Sequence, residues 1–240
     1  MSAPRISQTR RNSTEPVMNI LYEDNHIIAV NKQCCELVQG DSTGDTTLSD
    51  KVKKYLADKY NKPGDVFLGV VHRLDRPVSG LVLFARTSKA LARLNMMFRE
   101  KEITKKYIAV VRDRPPAEQG KLRHWLKKNE KQNKSYAYDR EVKGSKEALL
   151  SYRLMSRTDR FYVIEVDLHT GRHHQIRCQL AAAACPIKGD LKYGFPRSNN
   201  DGSISLHAWK LSFVHPVKKE KMDIVAPLPA TDIWSKIEIL

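Results

Sequence analysis

Two apolar runs constrain the fold of this chain more than any other feature of its sequence. DVFLGVV, at residues 65–71, has no charged residue after its first position, and GLVLFA, at residues 80–85, has none. A strand with one face in water alternates polar and apolar residues, whereas a continuous apolar run is typical of a strand buried on both faces. We therefore predict two buried strands, and we expect the segment HRLDRPVS between them to lie at the rim of a sheet.

The rest of the chain shows strand and helix patterns in mixed order. NILYEDNHIIAVNK predicts a hairpin around a polar turn at residues 23–25. Helices are predicted in TTLSDKVKKYLADKY, where Thr47 is a candidate N-cap and Asp50 follows three residues later, in TSKALARLNMMFRE and in HHQIRCQLAAAA. KKYIAVV, FYVIEVDL and SLHAWKLSFVHP predict further strands. This order, without an internal repeat, indicates an α+β fold with a mixed sheet.

The charge of the chain indicates a polyanionic partner. It carries 42 Lys and Arg against 27 Asp and Glu, a formal charge of +15. Nucleic acid is the first candidate and an anionic membrane surface the second, but no apolar run approaches the ~18 residues of a membrane-spanning helix. The N-terminal residues lack the apolar segment of a secretory signal, so we expect a cytoplasmic protein. Four cysteines without CxxC spacing are expected to be small apolar residues, with a metal or redox role as the alternative.

Charge and composition also divide the chain. Residues 1–17 are rich in Ser, Thr, Arg and Pro and predict a disordered basic tail before one domain at residues 18–240. Residues 99–146 carry fifteen basic and seven acidic residues, a net +8, together with aromatic residues that include Trp125, Tyr136 and Tyr138. This mixture suits phosphate contacts and base stacking. A solvated lysine-rich excursion is an equally good interpretation.

Asp75 lies between Arg73 and Arg76 in the segment that joins the two apolar runs. A carboxylate close to guanidinium groups stays ionised and could act as a nucleophile or base. For an arbitrary RxDR sequence, however, an Arg–Asp pair that pins a turn is the more common structure. The residues around Asp75 alone favour the structural interpretation.

Two further segments are candidates for chemistry. LHTGRHHQIRCQL places His169, Arg172, His173, His174 and Arg177 within nine residues, which suits an anion or phosphate site at a helix start. Three histidines could instead bind a metal ion, although Gly171 interrupts them and the glutamate of an HExxH motif is missing. Arg177 could reach a distant carboxylate bidentately.

The second of these segments is the strand KKYIAVV, which places Tyr107 on one face with Lys105 and Ala109. A tyrosine beside a lysine could stack on a base at a basic surface, although a half-buried sheet tyrosine is the ordinary interpretation.

Taken together and in this order, these segments resemble the RluA-type family of RNA pseudouridine synthases. HRLDRPVSGL, KKYIAVV, HTGRHHQIRCQLAAAACPIKGDLKYG and LHAWKLSFVHP are similar to the family's successive motifs, over about residues 19–216. The resemblance implies a mixed, mainly antiparallel central sheet with flanking helices and loops and an active-site cleft across its middle. It implies isomerisation of specific uridines in rRNA or tRNA, with no metal or organic cofactor. From the sequence we also expect no membrane association and no obligate protein partner, and a monomer would be adequate.

The resemblance also assigns roles to individual residues. Asp75 matches the catalytic aspartate, Tyr107 the tyrosine that packs on the target uracil, and Arg177 the arginine that pairs with the aspartate. Arg73 matches the arginine that can fill the space left by a flipped nucleotide. His72 and Arg172, in the same motifs, are expected to contact the substrate.

The chain departs from the family pattern at several positions. NKQCCELVQG replaces an NKPxG turn, and Val78 stands where Thr is usual. Cys178 and Gln179 lie in a segment where the family often has a histidine, and Ala184 stands where a helix-ending glycine is expected. Because only about seventeen residues precede the domain, we expect no N-terminal S4 RNA-binding module of the kind that many relatives carry. Two alternatives stay open: a non-catalytic RNA-binding or ribosome-assembly factor with this fold, and a metal-dependent hydrolase that uses the three histidines.

Overall fold

A computed structural model describes residues 18–40 and 44–237 of the chain. The predicted disordered tail at residues 1–17 lies outside the described residues. The helices are α1 (Leu48–Lys59), α2 (Ser88–Arg99) and α3 (Gln175–Ala182), with 3₁₀ turns at Leu191–Tyr193 and Asp232–Lys236. The strands are β1 (Asn19–Glu23), β2 (Ile27–Lys32), β3 (Gly69–Val70), β4 (Ser79–Ala85), β5 (Thr104–Val111), β6 (Gln119–Asn129), β7 (Lys134–Tyr138), β8 (Lys146–Arg157), β9 (Tyr162–Leu168), β10 (Leu206–Val214) and β11 (Lys221–Val225).

These strands form one sheet in the described part of the chain. Its order is β1-β2-β4-β10-β5-β9-β8-β6-β7, with β3 paired to β4 and β11 paired to β10. Neighbours are antiparallel except for β4 and β10, the third and fourth strands of the order, which are parallel. The predicted α+β fold with a mixed, mainly antiparallel sheet is confirmed.

Apolar residues cover both faces of this sheet. On one face, α1 contributes Leu48, Val52 and Leu56 and α3 contributes Ile176 and Leu180 to a core with Ile28, Val82, Tyr107 and Ile164. On the other face, α2 contributes Ala90, Leu94 and Met97 against Ile27, Leu81 and Leu83. Strands β2 and β4 are buried at every position, because helices pack on both sides of them. The interior strand predicted from GLVLFA is therefore confirmed.

The junction of β4 and β10 requires a glycine. Gly80 has a φ of +113°, and a Cβ atom at this position would lie 2.3 Å from the carbonyl oxygen of Ala208. No larger residue can adopt this conformation at this distance without moving the backbone of β10. The junction fixes the chain immediately after the segment that carries Asp75.

The strand predicted from DVFLGVV is largely wrong, because only Gly69 and Val70 form strand. The edge of β4 opposite β2 explains this difference, because two strands share it. That edge pairs with β10 at Ser79 and Gly80 and with β3 at Phe84 and Ala85. Only the far end of β4 is therefore available to residues 65–71.

The basic segment at residues 99–146 is not a structureless excursion. Its second half forms β6 and β7, which pair as a hairpin and join the sheet through β8. Leu126 and Ala137 face α3, whereas Lys127 and Tyr136 face outward. The sequence analysis did not predict these strands.

Left-handed residues set the two ends of α3. His174 has a φ of +51° and Ala184 a φ of +59°, so the helix starts two residues later than predicted from HHQIRCQLAAAA. The position where the family pattern has a glycine is thus left-handed in this chain as well. A Cβ atom there carries a conformational penalty that glycine avoids.

We predict that Ala184→Gly stabilises the protein by about 0.5–1 kcal/mol, because glycine adopts the left-handed conformation without a Cβ clash. The free energy of unfolding in urea measures the effect. The matched control is Ala183→Gly, where φ is −84° and glycine should be neutral or destabilising. Equal effects of the two substitutions would contradict this account.

Candidate active site

A cleft of about 1250 Å³ crosses the face of the sheet at its centre. The β3–β4 connection, β5 and the first turn of α3 line it with Asp75, Tyr107 and Arg177, and His72, Arg73 and Arg172 are also part of its wall. The fold therefore brings all six residues singled out in the sequence to one cleft.

Asp75 is held by a distant arginine and not by its neighbours in the sequence. Its carboxylate accepts a hydrogen bond of 2.9 Å from Nη1 of Arg177, and its side chain is 28% exposed. Arg76 instead forms an ion pair with Asp45 at 3.1 Å and donates to the carbonyl oxygen of Cys35. The predicted contact between Asp75 and Arg177 is confirmed.

Arg177 is fixed mainly by a second carboxylate that the sequence analysis did not single out. Its Nε and Nη2 atoms donate to the two oxygens of Asp190 at 2.7 and 2.9 Å, and both side chains are buried. The bidentate partner is thus Asp190, and Asp75 receives one hydrogen bond. Burial lowers the pKa of Arg177, but the hydrogen bonds and charges of Asp190 and Asp75 outweigh burial and raise it. Asp190 lies in the KGDLKYG part of the matching motif, where an aspartate after a glycine was the available signal.

His174 extends this network on the other side of Asp75. Its Nδ1 atom is hydrogen-bonded to the hydroxyl of Tyr193 at 3.1 Å, and its Nε2 atom lies 3.5 Å from the Asp75 carboxylate. Because a carboxylate accepts and does not donate, we assign the ring proton to Nε2. Burial lowers the pKa of His174 to about 3, with smaller effects from surrounding charges. A neutral imidazole and a guanidinium ion therefore both present N–H groups to Asp75.

Tyr107 lies beside Asp75 on the apolar side of the cleft. It is 9% exposed and belongs to the core formed with Ala109 and Val166. Burial and the nearby charge of Asp75 raise its pKa, so it remains a phenol at neutral pH. Lys105, on the same face as predicted, also lines the cleft, and burial lowers its pKa. The cleft thus combines an aromatic face with a cation.

His72, Arg73 and Arg172 occupy different environments around the cleft. His72 accepts from the backbone N–H of Leu83 at 2.9 Å and stacks on Phe98, and burial lowers its pKa to about 4. Arg73 is exposed. Arg172 donates from Nε to the carbonyl oxygen of Glu147 at 2.8 Å. The two arginines supply positive charge at the entrance.

The three histidines considered as metal ligands are engaged with other groups. His169 hydrogen-bonds to Ser151, and His173 contacts Ser135 and Asn133 through its two ring nitrogens while it stacks on His174. Within residues 18–40 and 44–237, no group of three or more His, Cys, Asp or Glu side chains is arranged to hold a metal ion. The histidines do not form a ligand set.

Lys32 stabilises the loop that carries Asp75. Its side chain is fully buried, and its ammonium group donates to the carbonyl oxygens of Gln33 at 2.9 Å and Arg76 at 3.1 Å. Burial lowers the pKa of Lys32 to about 8, against the opposing effect of nearby acidic groups. The sequence analysis missed this residue, although a lysine at the end of an apolar strand was visible.

Comparison with known proteins identifies the family. A family model described as RNA pseudouridylate synthase matches residues 26–182. The chain belongs to this family. Its catalytic class is therefore that of RNA pseudouridine synthases, isomerases that convert uridine in RNA to pseudouridine. Among the helices of the described residues, none is long and apolar enough to span a membrane.

Individual relatives cover most of the chain. An RNA pseudouridine synthase of Synechocystis is 32% identical over 89% of this chain and 66% of its own length. The ribosomal large subunit pseudouridine synthase C of Buchnera aphidicola is 32% identical over 91% of this chain and 68% of its own. The chain thus spans about two thirds of the length of these relatives. The structure of human RNA pseudouridylate synthase domain containing 4 has the same fold, with a TM-score of 0.75, 22% identity and coverage of 90% of this chain and 91% of the human one.

We predict that Arg177→Met destabilises this synthase by about 3–5 kcal/mol, because the buried Asp190 loses its counter-charge. The double variant Arg177→Met with Asp190→Asn should regain at least about 2 kcal/mol, since the uncompensated charge is removed. Urea unfolding measures both values. As a control, Arg76→Met breaks an exposed pair and should cost no more than about 1 kcal/mol. A small loss for Arg177→Met, or no recovery in the double variant, would show that the ion pair is not a major constraint.

We also predict that His174 makes stability depend on pH. Its pKa is about 3 in the folded protein and about 6.5 in an unfolded chain, so the unfolded state binds an extra proton between these values. The contribution of His174 is complete above about pH 6.5 and is lost as the pH falls towards 3, at about 1.4 kcal/mol per pH unit. In His174→Asn, proton uptake on unfolding at pH 5 should therefore be lower by about one proton, with no difference at pH 8. Equal slopes of stability against pH for both proteins would refute this role.

Proposed function

We propose that this chain isomerises specific uridines in structured rRNA or tRNA to pseudouridine, with Asp75 as the catalytic carboxylate. The observation that carries the proposal is the position of Asp75 in the cleft, where Arg177 donates to it and Tyr107 lies on the apolar side. Three side chains from distant parts of the sequence line this one cleft, which supports the roles that the family motifs imply for them.

The chemistry needs one carboxylate and no net change in atoms or electrons. The bond between N1 of uracil and C1′ of ribose breaks, the base turns, and a bond between C5 and C1′ forms, while the proton leaves C5 and N1 gains one. Asp75 acts in this sequence as a nucleophile or as a base. Arg177 favours its charged form and fixes its orientation, because Asp190 holds the guanidinium group in place.

The target base must leave its helical stack before this carboxylate can reach it. Tyr107 provides a ring against which the uracil stacks, and its raised pKa keeps the hydroxyl protonated and uncharged. Arg73 is exposed at the rim and can enter the space that the base leaves. Arg172 and His72 contact the ribose-phosphate backbone or the base from the walls of the cleft.

The proposal extends to the setting in which the enzyme works. The relative from Buchnera is named for the large ribosomal subunit, which supports rRNA as the first substrate to test, and tRNA is the second. Asp75, Tyr107, Arg177 and Asp190 all belong to one chain, so a monomer without an obligate protein partner suffices. We place this activity in the cytoplasm, and no metal or organic cofactor takes part.

We expect Asp75→Asn to lower pseudouridine formation by about 10²–10⁴-fold, since the amide can serve neither as nucleophile nor as base. The measurement is pseudouridine mapping on unmodified transcripts of large and small subunit rRNA and of tRNA, incubated with purified protein. RNA binding by the variant, measured separately, should stay within about threefold of wild type because the fold and the cationic walls are unchanged. Equal modification by both proteins would disprove the role of Asp75. Salt-dependent RNA binding by wild type without any modification would favour the non-catalytic binding factor.

A further inference from the structure

The hairpin of β6 and β7 has an outward side that the catalytic cleft does not use. We call it the outer hairpin face and define it by Arg123, Trp125, Lys127, Tyr136 and Tyr138. Alternation along the strands places these residues on one side, and the register pairs Trp125 with Tyr138 and Lys127 with Tyr136. The opposite side packs on α3 through Leu126 and Ala137.

The aromatic rings of the outer hairpin face are accessible. Tyr136 is 40% exposed and Tyr138 is 39% exposed, and Trp125 is half-buried between its cross-strand neighbours. Directly opposite side chains on adjacent strands lie about 4.5–5.5 Å apart at Cβ, so Trp125 and Tyr138 are neighbours on this face. Exposed aromatic rings on a sheet normally lower solubility, and a stacking ligand is a physical reason to keep them.

Cations are interleaved with these rings. The guanidinium group of Arg123 lies 5.2 Å from the ring of Trp125 and pairs with Glu147 at 2.7 Å, and the ammonium group of Lys134 lies 5.6 Å from the ring of Tyr136. Residues 119–147, which form the hairpin and its connection to β8, contain nine basic and four acidic residues. The net charge of +5 complements a polyanion and not a basic or neutral partner.

The outer hairpin face is continuous with the cleft through the tip of the hairpin. Lys128 and Asn133 at this tip line the cleft. Asn133 hydrogen-bonds to His173 at 3.0 Å and accepts from Lys192 at 3.0 Å through its carbonyl oxygen. An RNA strand that leaves the cleft over this tip first reaches Asn129 and Lys134 on the outward side and then Lys127 and Tyr136, the following outward pair.

We propose that the outer hairpin face binds an unpaired segment of the same RNA that places its uridine in the cleft, with successive bases stacked on Tyr136, Tyr138 and Trp125. This rests on the proposed function, because it takes RNA as the occupant of the cleft. An acidic protein would pair with the cations but has no need of two exposed tyrosine rings beside a half-buried tryptophan, whereas every base presents a face that stacks. Phosphates contact Lys127 and Arg123, and the face adds affinity without reading sequence.

The test uses tryptophan fluorescence of the full chain. A 20-residue oligouridine is titrated into the protein, with an abasic oligonucleotide of the same length and a 20-residue polyglutamate as separate probes. Stacking of a base on Trp125 should quench its emission, while the other two tryptophans, Trp209 and Trp234, belong to a core cluster that includes no residue of the hairpin. We expect quenching by oligouridine and at least tenfold weaker binding of both other probes. Equal binding of the abasic probe or of polyglutamate would overturn the proposal, since the face would then recognise charge alone.

Three variants locate the effect. Trp125→Phe should bind oligouridine within about threefold of wild type but lose the quenching, because phenylalanine still stacks. Tyr136→Leu and Tyr138→Leu keep apolar side chains in the strand and should each weaken binding about tenfold, the size expected for one lost base stack. Phe67→Leu removes an exposed ring outside the hairpin and serves as the matched control, with no change expected. Urea unfolding of each variant verifies the fold, and unchanged affinity in both tyrosine variants would refute the proposal.

Pseudouridine mapping separates this proposal from the function on which it rests. Tyr136→Leu and Tyr138→Leu should raise the KM for an rRNA transcript about tenfold and leave kcat unchanged, whereas Asp75→Asn should lower turnover by about 10²–10⁴-fold and leave oligouridine quenching intact. Quenching without pseudouridine in any transcript would support the outer hairpin face while the proposed function fails. Pseudouridine formation with no base-dependent binding would support the proposed function and overturn the outer hairpin face.

Discussion

The buried ion pair between Arg177 and Asp190 is the constraint on which the site depends. Removing two charges from water costs several kcal/mol for each, and that cost is recovered only when geometry and hydrogen bonding are complete. The bidentate contact at 2.7 and 2.9 Å meets this requirement and leaves Nη1 of Arg177 as the atom directed at Asp75. Asp75 is thereby held by a group that two hydrogen bonds to Asp190 fix in turn. A partly exposed carboxylate in the cleft acquires a fixed orientation without being buried.

This arrangement makes demands on the whole sheet. Asp75 and Arg177 are 102 positions apart in the sequence, so the loop after β3 and the first turn of α3 must be brought together by the strands between them. The parallel junction of β4 with β10 holds one side of the loop and depends on Gly80, whose backbone approaches Ala208 too closely for any Cβ atom. Lys32 holds the other side through the carbonyl oxygen of Arg76. Its buried ammonium group is a further charge that tolerates little displacement.

The parts of the fold and the site that the sequence predicted are those whose sequence patterns act over a few neighbouring residues. The runs in β2 and β4 and the capping box of Thr47 with Asp50 act within a few residues, and the sequence predicted all of these elements. The short β3 could not be predicted, because its length depends on where β10 pairs with β4. Strands β6 and β7 were missed since their lysines suggested a solvated segment, although Leu122, His124 and Leu126 already had the alternation of a strand. The family motifs supplied the pairing of Asp75 with Arg177, but Asp190 as the bidentate partner of Arg177 depends on the folded path after α3.

The same alternation explains how the β6–β7 hairpin can serve two purposes. Ser135 faces inward, where its backbone N–H donates to Tyr193, its carbonyl oxygen accepts from Cys178 of α3, and its hydroxyl contacts His173. Tyr136, the next residue, faces outward into solvent. One side of β7 therefore holds the helix that carries Arg177, while the other side is free to vary in charge and aromatic content without disturbing the ion pair. Because neighbouring residues of a strand share a backbone but not a face, a sheet can keep the residues of its cleft fixed and still change the surface on its other side.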